Sequence, residues 1–241
     1  MFRQKKILVF IGAREGSKGL KNKNILRFHG KPLICWTIEA SLHSKYVDRT
    51  LVSTDGEKIA RIARRAGADV PFLRPARLAT DKALIVDALR HALGWLKRNE
   101  RSSYDYVMLL QPTSPLRTTR HIDEAIAYYF RHRRTSEDTL VSVIKAPAKM
   151  AWLMEKNNKG YIHFCFDIQG QKFRRQNATS YYLPNGLIYL VPCAMIQKGN
   201  LYSSHTLPYM MDEKISIDID HREDFERALK MFSLSKALAN S

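Results

Sequence analysis

The stretch Ile7–Gly12 is apolar throughout, and it constrains the fold more than any other part of the chain. A strand with one wet face alternates apolar and polar residues, so an unbroken apolar run belongs to a strand covered on both sides. The pattern that follows agrees. After a loop of Gly, Lys and Asn, Pro32 opens an amphipathic helical stretch to about Ser44. Arg49–Ser53 reads as the next strand, and Thr54 with Glu57 makes a capping box for a helix ending at Gly67. Val70–Leu73 reads as a third strand, Ala83–Arg98 as a helix and Tyr106–Leu110 as a strand. Thr118–Arg134 then reads as a helix and Leu140–Ile144 as a strand. This alternation predicts a three-layer α/β fold with a mostly parallel, Rossmann-like sheet and right-handed crossovers.

From Ala146 to about Pro184 the rhythm breaks. Short strand candidates, Trp152–Met154 and Tyr161–Phe166, flank the turn signal Asn157-Asn158-Lys159-Gly160. The expectation is one domain over 1–241 with a hairpin-bearing insertion at 146–184. Leu187–Val191 and Ile215–Ile219 resume the sheet, and His221–Leu238 closes the chain as a helix.

Charge narrows the choice of partners. Lys and Arg number 40 against 23 Asp and Glu, a net charge of +17, which suits nucleic acid, anionic membranes or anionic small substrates. The small clusters Arg61/Arg64/Arg65 and Arg131/Arg133/Arg134 read as solvated helix faces. Three cysteines (Cys35, Cys165, Cys193) without C-x-x-C spacing indicate reduced thiols. The basic Met1–Lys6 and apolar Ile7–Ala13 are too short and too quickly interrupted by Arg14 and Glu15 for a signal peptide. No apolar run approaches the ~20 residues of a membrane span. A soluble, cytoplasmic protein with neither nucleic acid nor membrane as partner is expected.

The segment from Gly12 to Asn24 carries the chemistry. It follows the first strand, at the edge where ligands sit in open α/β sheets. Its glycines let backbone N–H groups approach a phosphate, and its basic side chains neutralise one. Gly12 and Gly16 are too close for a Walker loop, and a G-x-G-x-x-G fingerprint is missing. An ordinary solvated basic loop is the plainer alternative.

Ala13-Arg14-Glu15-Gly16-Ser17-Lys18-Gly19, with Lys23-Asn24 beyond, resembles the signature of CMP-sialic acid synthetases, the acylneuraminate or nonulosonate cytidylyltransferases. The resemblance continues through Gly30-Lys31-Pro32-Leu33, Ser53-Thr54-Asp55, Arg74-Pro75, Leu78-Ala79-Thr80-Asp81 and the block Leu110–Arg117. It resumes at Arg174-Arg175-Gln176, Asn185-Gly186 and Ser216–Asp220. Blocks in family order over most of the chain are specific together.

The resemblance implies a fold of the nucleotide-diphospho-sugar transferase type. It also implies a reaction of CTP with the anomeric hydroxyl of an acidic nine-carbon 2-keto sugar. On that basis Arg14 and Lys23 serve catalysis by binding the triphosphate, with Gly16 and Ser17 as loop donors and Asn24 as a further nucleotide contact. Arg74 and backbone near Ala83 select cytosine, and Gln111 lies between nucleotide and sugar. Lys149, Arg175, Gln176 and Asn185 take the acceptor, and the insertion builds a homodimer. Departures are Glu15, where Gly is common, Lys82-Ala83-Leu84-Ile85, where Ser and Thr are common, and Asn177, where Asp is common.

Asp218 and Asp220 would share one face of a strand, and two hard oxygen ligands suit Mg²⁺. Asp220 with Glu223 is also an acceptable capping box for the last helix. Two rival readings remain at this point. A nucleotide-sugar-dependent glycosyltransferase of related topology needs neither the Arg14/Lys23 loop nor the Leu110–Arg117 block. A basic nucleic-acid-binding protein needs exposed aromatics interleaved with its basic residues.

Overall fold

A computed structural model describes residues 2–16, 19–166 and 180–239. Strand β1 (Ile7–Gly12) leads through a small hairpin, β2 (Arg27–Phe28) and β3 (Lys31–Pro32), into α1 (Leu33–Leu42). Then come β4 (Arg49–Ser53), α2 (Glu57–Arg65), α3 (Ile85–Glu100), β5 (Tyr106–Leu110), α4 (Thr119–His132) and β6 (Thr139–Lys145). The inserted hairpin pairs β7 (Met154–Lys156) with β8 (Ile162–Phe164). The chain closes with β9 (Tyr182–Pro192), α5 (Cys193–Lys198), β10 (Thr206–Met210) and α6 (Arg222–Ala239).

Six strands make the central sheet in the order β10-β6-β9-β5-β1-β4. β1 runs parallel to β4 and β5, and β10 runs parallel to β6. β9 alone runs the other way, antiparallel to both of its neighbours. β1 shows why its sequence is bare of polar groups. Ile7, Val9 and Ile11 pack on one face with Ile38 of α1, Ala60 of α2 and Ile126 of α4. Leu8 and Phe10 pack on the other face with Leu89 of α3 and Ile196 of α5. All five β1 side chains are fully buried, so helices cover both faces and the layers number three. A third cluster holds α6 in place through Phe225 and Phe232, which meet Phe28, Ile217 and Ile219.

Three expectations need correction. Val70–Leu73 is not a strand. Only Asp69 bridges to Leu51 of β4, and Pro71 has no N–H with which to continue a ladder. Ile215–Ile219 is not a strand either. The edge place beside β6 belongs to β10, whose Pro208 disguised it and is tolerated because an edge needs fewer donors. The alternation that suggested a strand comes from Ile217 and Ile219 packing under α6. Finally, Thr54 does not cap α2. Its hydroxyl accepts from Gly56 N at 3.1 Å in a tight turn, and Gly56 is the N-cap.

The hairpin turn follows its sequence signal, with Gly160 at φ +89° and Gly160 N donating to Asn157 O at 3.0 Å. Among the described residues no helix is long and apolar enough to cross a membrane.

Phe28 is fully buried and meets Trp36, Phe225 and Phe232 edge-on. Phe28→Ala should lower unfolding free energy by about 3–5 kcal/mol. A shifted denaturant midpoint at unchanged slope is the expected readout, and a loss below about 1 kcal/mol would mean that α6 docks by other contacts.

Candidate active site

Parallel strands end together, and the carboxyl ends of β1 and β5 open on a cleft of about 490 Å³. Arg14, Lys23 and Asn24 reach it from the loop after β1, and Arg74 and Ala83 reach it from the segment before α3. Gln111, directly after β5, and the exposed Asp220 complete the charged and polar lining. Gly16 is exposed and does not line the cleft. Lys149 stands exposed in the single turn Ala148–Trp152 of the insertion, away from it. Ser17, Arg175 and Gln176 lie outside the described residues, as do Lys18, Arg174 and Asn177.

The two loop cations that line the cleft each rest on a carboxylate. Arg14 pairs with Asp81. Lys23 Nζ donates to Asp220 Oδ1 at 2.6 Å and to the Ile219 carbonyl at 3.2 Å. The loop can lie this close only because Gly19 has no side chain: a Cβ there would fall 2.2 Å from the Asp220 carbonyl oxygen. Asp220 is free to hold Lys23 because it does not cap α6. Asp224 does so instead, accepting from His221 N at 2.9 Å and Asp220 N at 3.1 Å, so the capping-box alternative for Asp220 falls.

Glu15 is turned aside. Its backbone N donates to Asp55 Oδ1 at 3.0 Å, and its side chain packs against Gly56 at the start of α2, where a helix N-terminus favours negative charge.

Arg74 is a buried cation at the cleft wall. Its Nε donates to Ser53 Oγ at 3.0 Å and its Nη2 to Ser53 O at 2.6 Å. Burial lowers its pKa against the pull of Asp55. Asn24 donates through Nδ2 to the Arg14 carbonyl at 3.0 Å, while its buried Oδ1 has no partner. That orphan oxygen can be satisfied only by a donor, which an ionised phosphate cannot provide.

Asp218 lies behind Gln111. Thr113 Oγ1 donates to its Oδ1, and the Gln111 amide nitrogen donates to its Oδ2 at 2.8 Å. Ile219 N donates to Thr113 O at 3.0 Å, so the segment keeps strand-like sidedness without a ladder. Burial, joined by the charge of Asp220, pushes the Asp218 carboxyl up against the opposing effects of Thr113, Lys23 and Arg117. Among the described residues no three ligating side chains converge as a ready-made metal cage.

Asn185 does not present an unsatisfied group. Its Oδ1 accepts from Ser142 Oγ at 2.5 Å and Leu187 N at 3.2 Å, and its Nδ2 donates to Ser216 Oγ at 2.9 Å. It is a strut between β6, β9 and the Asp218 segment. The next residue, Gly186, has φ +76°, and a Cβ there would come within 3.0 Å of the Gln111 amide. The sequence reading missed Tyr189 and Leu201, which line the apolar end of the cleft. It also missed Asp81. Tyr189 follows from its place in β9, but its facing direction needs the strand's register.

The match to the cytidylyltransferase family model spans residues 8–238, and the chain belongs to that family. It is 38% identical over 227 residues to the N-acylneuraminate cytidylyltransferase of Escherichia coli O18:K1:H7, covering 93% of this chain but only 51% of that protein. It is 33% identical to the CMP-N,N'-diacetyllegionaminic acid synthase of Legionella pneumophila, covering 96% and 98% of the two chains. A solved CMP:2-keto-3-deoxy-manno-octonic acid synthetase complexed with CTP shares the fold at TM-score 0.69. That similarity covers 95% of this chain and 99% of the solved one at 16% identity.

A carboxyl with a raised folded-state pKa binds its proton more tightly than the unfolded chain does. Its ionised form therefore costs stability at neutral pH, and stability returns as pH falls through the folded pKa. In Asp218→Asn the cost vanishes, and a turned Gln111 amide can accept from the new Nδ2. This variant should be at least as thermostable as wild type at pH 7, with the two converging as pH drops. Melting curves across that range check it, and a clear loss at pH 7 would show that the carboxylate is needed for the fold itself.

Proposed function

We propose that the protein transfers the cytidylyl group of CTP to the anomeric hydroxyl of an acidic nine-carbon 2-keto sugar of the sialic acid type, releasing pyrophosphate. The observation that carries this reading is the clustering of cations in the cleft. Arg14, Lys23 and Arg74 line it together, Arg14 and Lys23 held by Asp81 and Asp220 at the same cleft, with Asp218 behind Gln111. An in-line attack of the anomeric oxygen on the α-phosphorus asks the protein mainly to position the reactants and neutralise charge. The triphosphate takes Arg14 and Lys23 from Asp81 and Asp220. Arg74 and the backbone at Ala83 meet the base, and the orphan Asn24 oxygen takes a nucleotide hydroxyl or amino hydrogen. Ser17 adds a loop N–H donor. Gln111 borders the acceptor, whose carboxylate is matched by the guanidinium of Arg175 beside Gln176.

Asp218 and Asp220 suit Mg²⁺, an ion that uses one or two carboxylates together with substrate phosphates and water. Asp218 is desolvated and raised by a neighbouring negative charge, which a cation would relieve. Bound there, the ion supplies charge neutralisation to the triphosphate.

The insertion exposes Trp152, Tyr161 and Ile162, an apolar surface that a second copy of the chain would cover in a homodimer. The three cysteines are unpaired and CTP is a cytosolic nucleotide, so the reading places the enzyme in the cytoplasm.

Purified protein is assayed for pyrophosphate release from CTP with a panel of nonulosonic acids, including N-acetylneuraminate, legionaminate and pseudaminate. Release with at least one, dependent on Mg²⁺, is expected; none with any acceptor would overturn the reading. Arg14→Ala should lower kcat more than it raises the KM for CTP, by roughly 3 kcal/mol of transition-state stabilisation. A raised KM at unchanged kcat would instead mean uniform binding.

A further inference from the structure

Arg117 is 2% exposed, and the reading above gives it no task. Its guanidinium makes no ion pair among the described residues. Nη1 donates to Leu187 O at 2.8 Å, and Nη2 donates to Thr37 Oγ1 at 2.7 Å and Gln111 O at 3.0 Å. Nε has no partner. A buried cation held only by neutral oxygens is costly, and an apolar side chain of similar volume would fill the space at less cost. What an apolar side chain, or a lysine, cannot do is donate along fixed directions to three separate elements at once. Those elements are α1 through Thr37, the end of β5 through Gln111, and β9 through Leu187.

All three acceptors sit beneath one feature of the cleft. Thr37 Oγ1 itself donates to Gln111 O at 3.2 Å, so the Gln111 carbonyl receives two hydrogen bonds. The same residue's side chain donates to Asp218. Two residues on, Thr113 holds the other Asp218 oxygen through its hydroxyl and the Ile219 N–H through its carbonyl. Leu187 follows the Asn185–Gly186 bend that packs against Gln111.

We propose that Arg117 is a positioning residue whose fork fixes the Gln111–Thr113 strand end, and through it the orientation of Asp218 behind Gln111. This deepens the proposed function and rests on it for its kinetic consequence. Arg14 and Arg74 do not touch this web, and Lys23 meets it only at its far end, through the Ile219 carbonyl and Asp220, so the nucleotide side should be affected less than the Asp218 side.

The test uses Arg117→Lys, which keeps the charge and loses the fork, and Thr37→Val, which removes one acceptor at nearly constant volume. Hydrogen–deuterium exchange should show faster exchange at 111–113 and 217–220 in both variants, weaker in Thr37→Val, with β1 and β4 protected as in wild type. In turnover, Arg117→Lys should lose about 100-fold in kcat, the scale of a small misplacement. Its KM for CTP should stay within about threefold of wild type, because uniform binding is untouched. Unchanged exchange at 217–220 in both variants would overturn the proposal, as would loosening that spreads to β1 and β4, or a KM rise that matches the kcat loss. If Arg117→Lys does not fold, Thr37→Val decides alone by the same exchange pattern. If wild type releases no pyrophosphate, the proposed activity falls, while the exchange data still decide the role of Arg117.

Discussion

Two opposite charges, Arg117 fully buried and Asp218 half-buried, lie beneath the cleft without an ion pair between them. Each is stabilised by neutral dipoles, carbonyls and a hydroxyl for one, a hydroxyl and an amide for the other. Desolvating an ion costs several kcal/mol unless its remaining hydrogen-bonding capacity is met. The surrounding backbone therefore has little freedom: the end of β5, the bend before Leu187 and the Asp218 segment are mutually fixed. The loop after β1 then leans on this fixed body through Lys23 and the close passage of Gly19 over Asp220.

The sequence was most legible where burial is two-sided. β1 and β5 begin and end close to where their apolar runs do, since a strand covered on both faces has few polar residues to blur its limits, whereas β4 carries Arg49, Thr50 and Ser53 at its ends. Gln111 and the loop that carries Arg14 and Lys23 are legible as a site because they follow strand ends, where open α/β sheets place ligands, whereas Arg74 follows no strand and is legible only through the family resemblance. Contacts between distant residues were not readable. Asn185 has the composition of a ligand-facing amide, and only the positions of Ser142 and Ser216 show that its donors and acceptor are already used. Edge structure is masked in both directions: Pro208 hides β10, and the apolar pattern of Val70–Leu73 hides the donor that Pro71 lacks. One proline sits where a donor can be spared, the other where the ladder needs one.

The net charge of +17 is ordered along the helices. α2 and α3 carry Glu57 and Asp87 in their first turns, while Arg64, Arg65, Lys97 and Arg98 occupy their last turns. α4 ends on Arg131 and His132. Each arrangement complements the helix dipole by a few tenths of a kcal/mol to about 1 kcal/mol. Because the helices return from the cleft edge to the opposite edge of the sheet, much of the positive charge is carried away from the substrate site. The cations that line the cleft itself are few: Arg14, Lys23 and Arg74.

β9 lies in the middle of the sheet yet is the fifth of its six strands to be made. On a ribosome, the first 145 residues can assemble β4, β1 and β5, but β6 has no place beside β5 until residues 182–192 emerge. During that interval the outer edge of β5 stands open, with its backbone donors and acceptors unpaired and both faces apolar. Such an edge is a template for another nascent chain. The insertion between β6 and β9 sets how long that exposure lasts, so its length is a matter of translation timing as well as of surface.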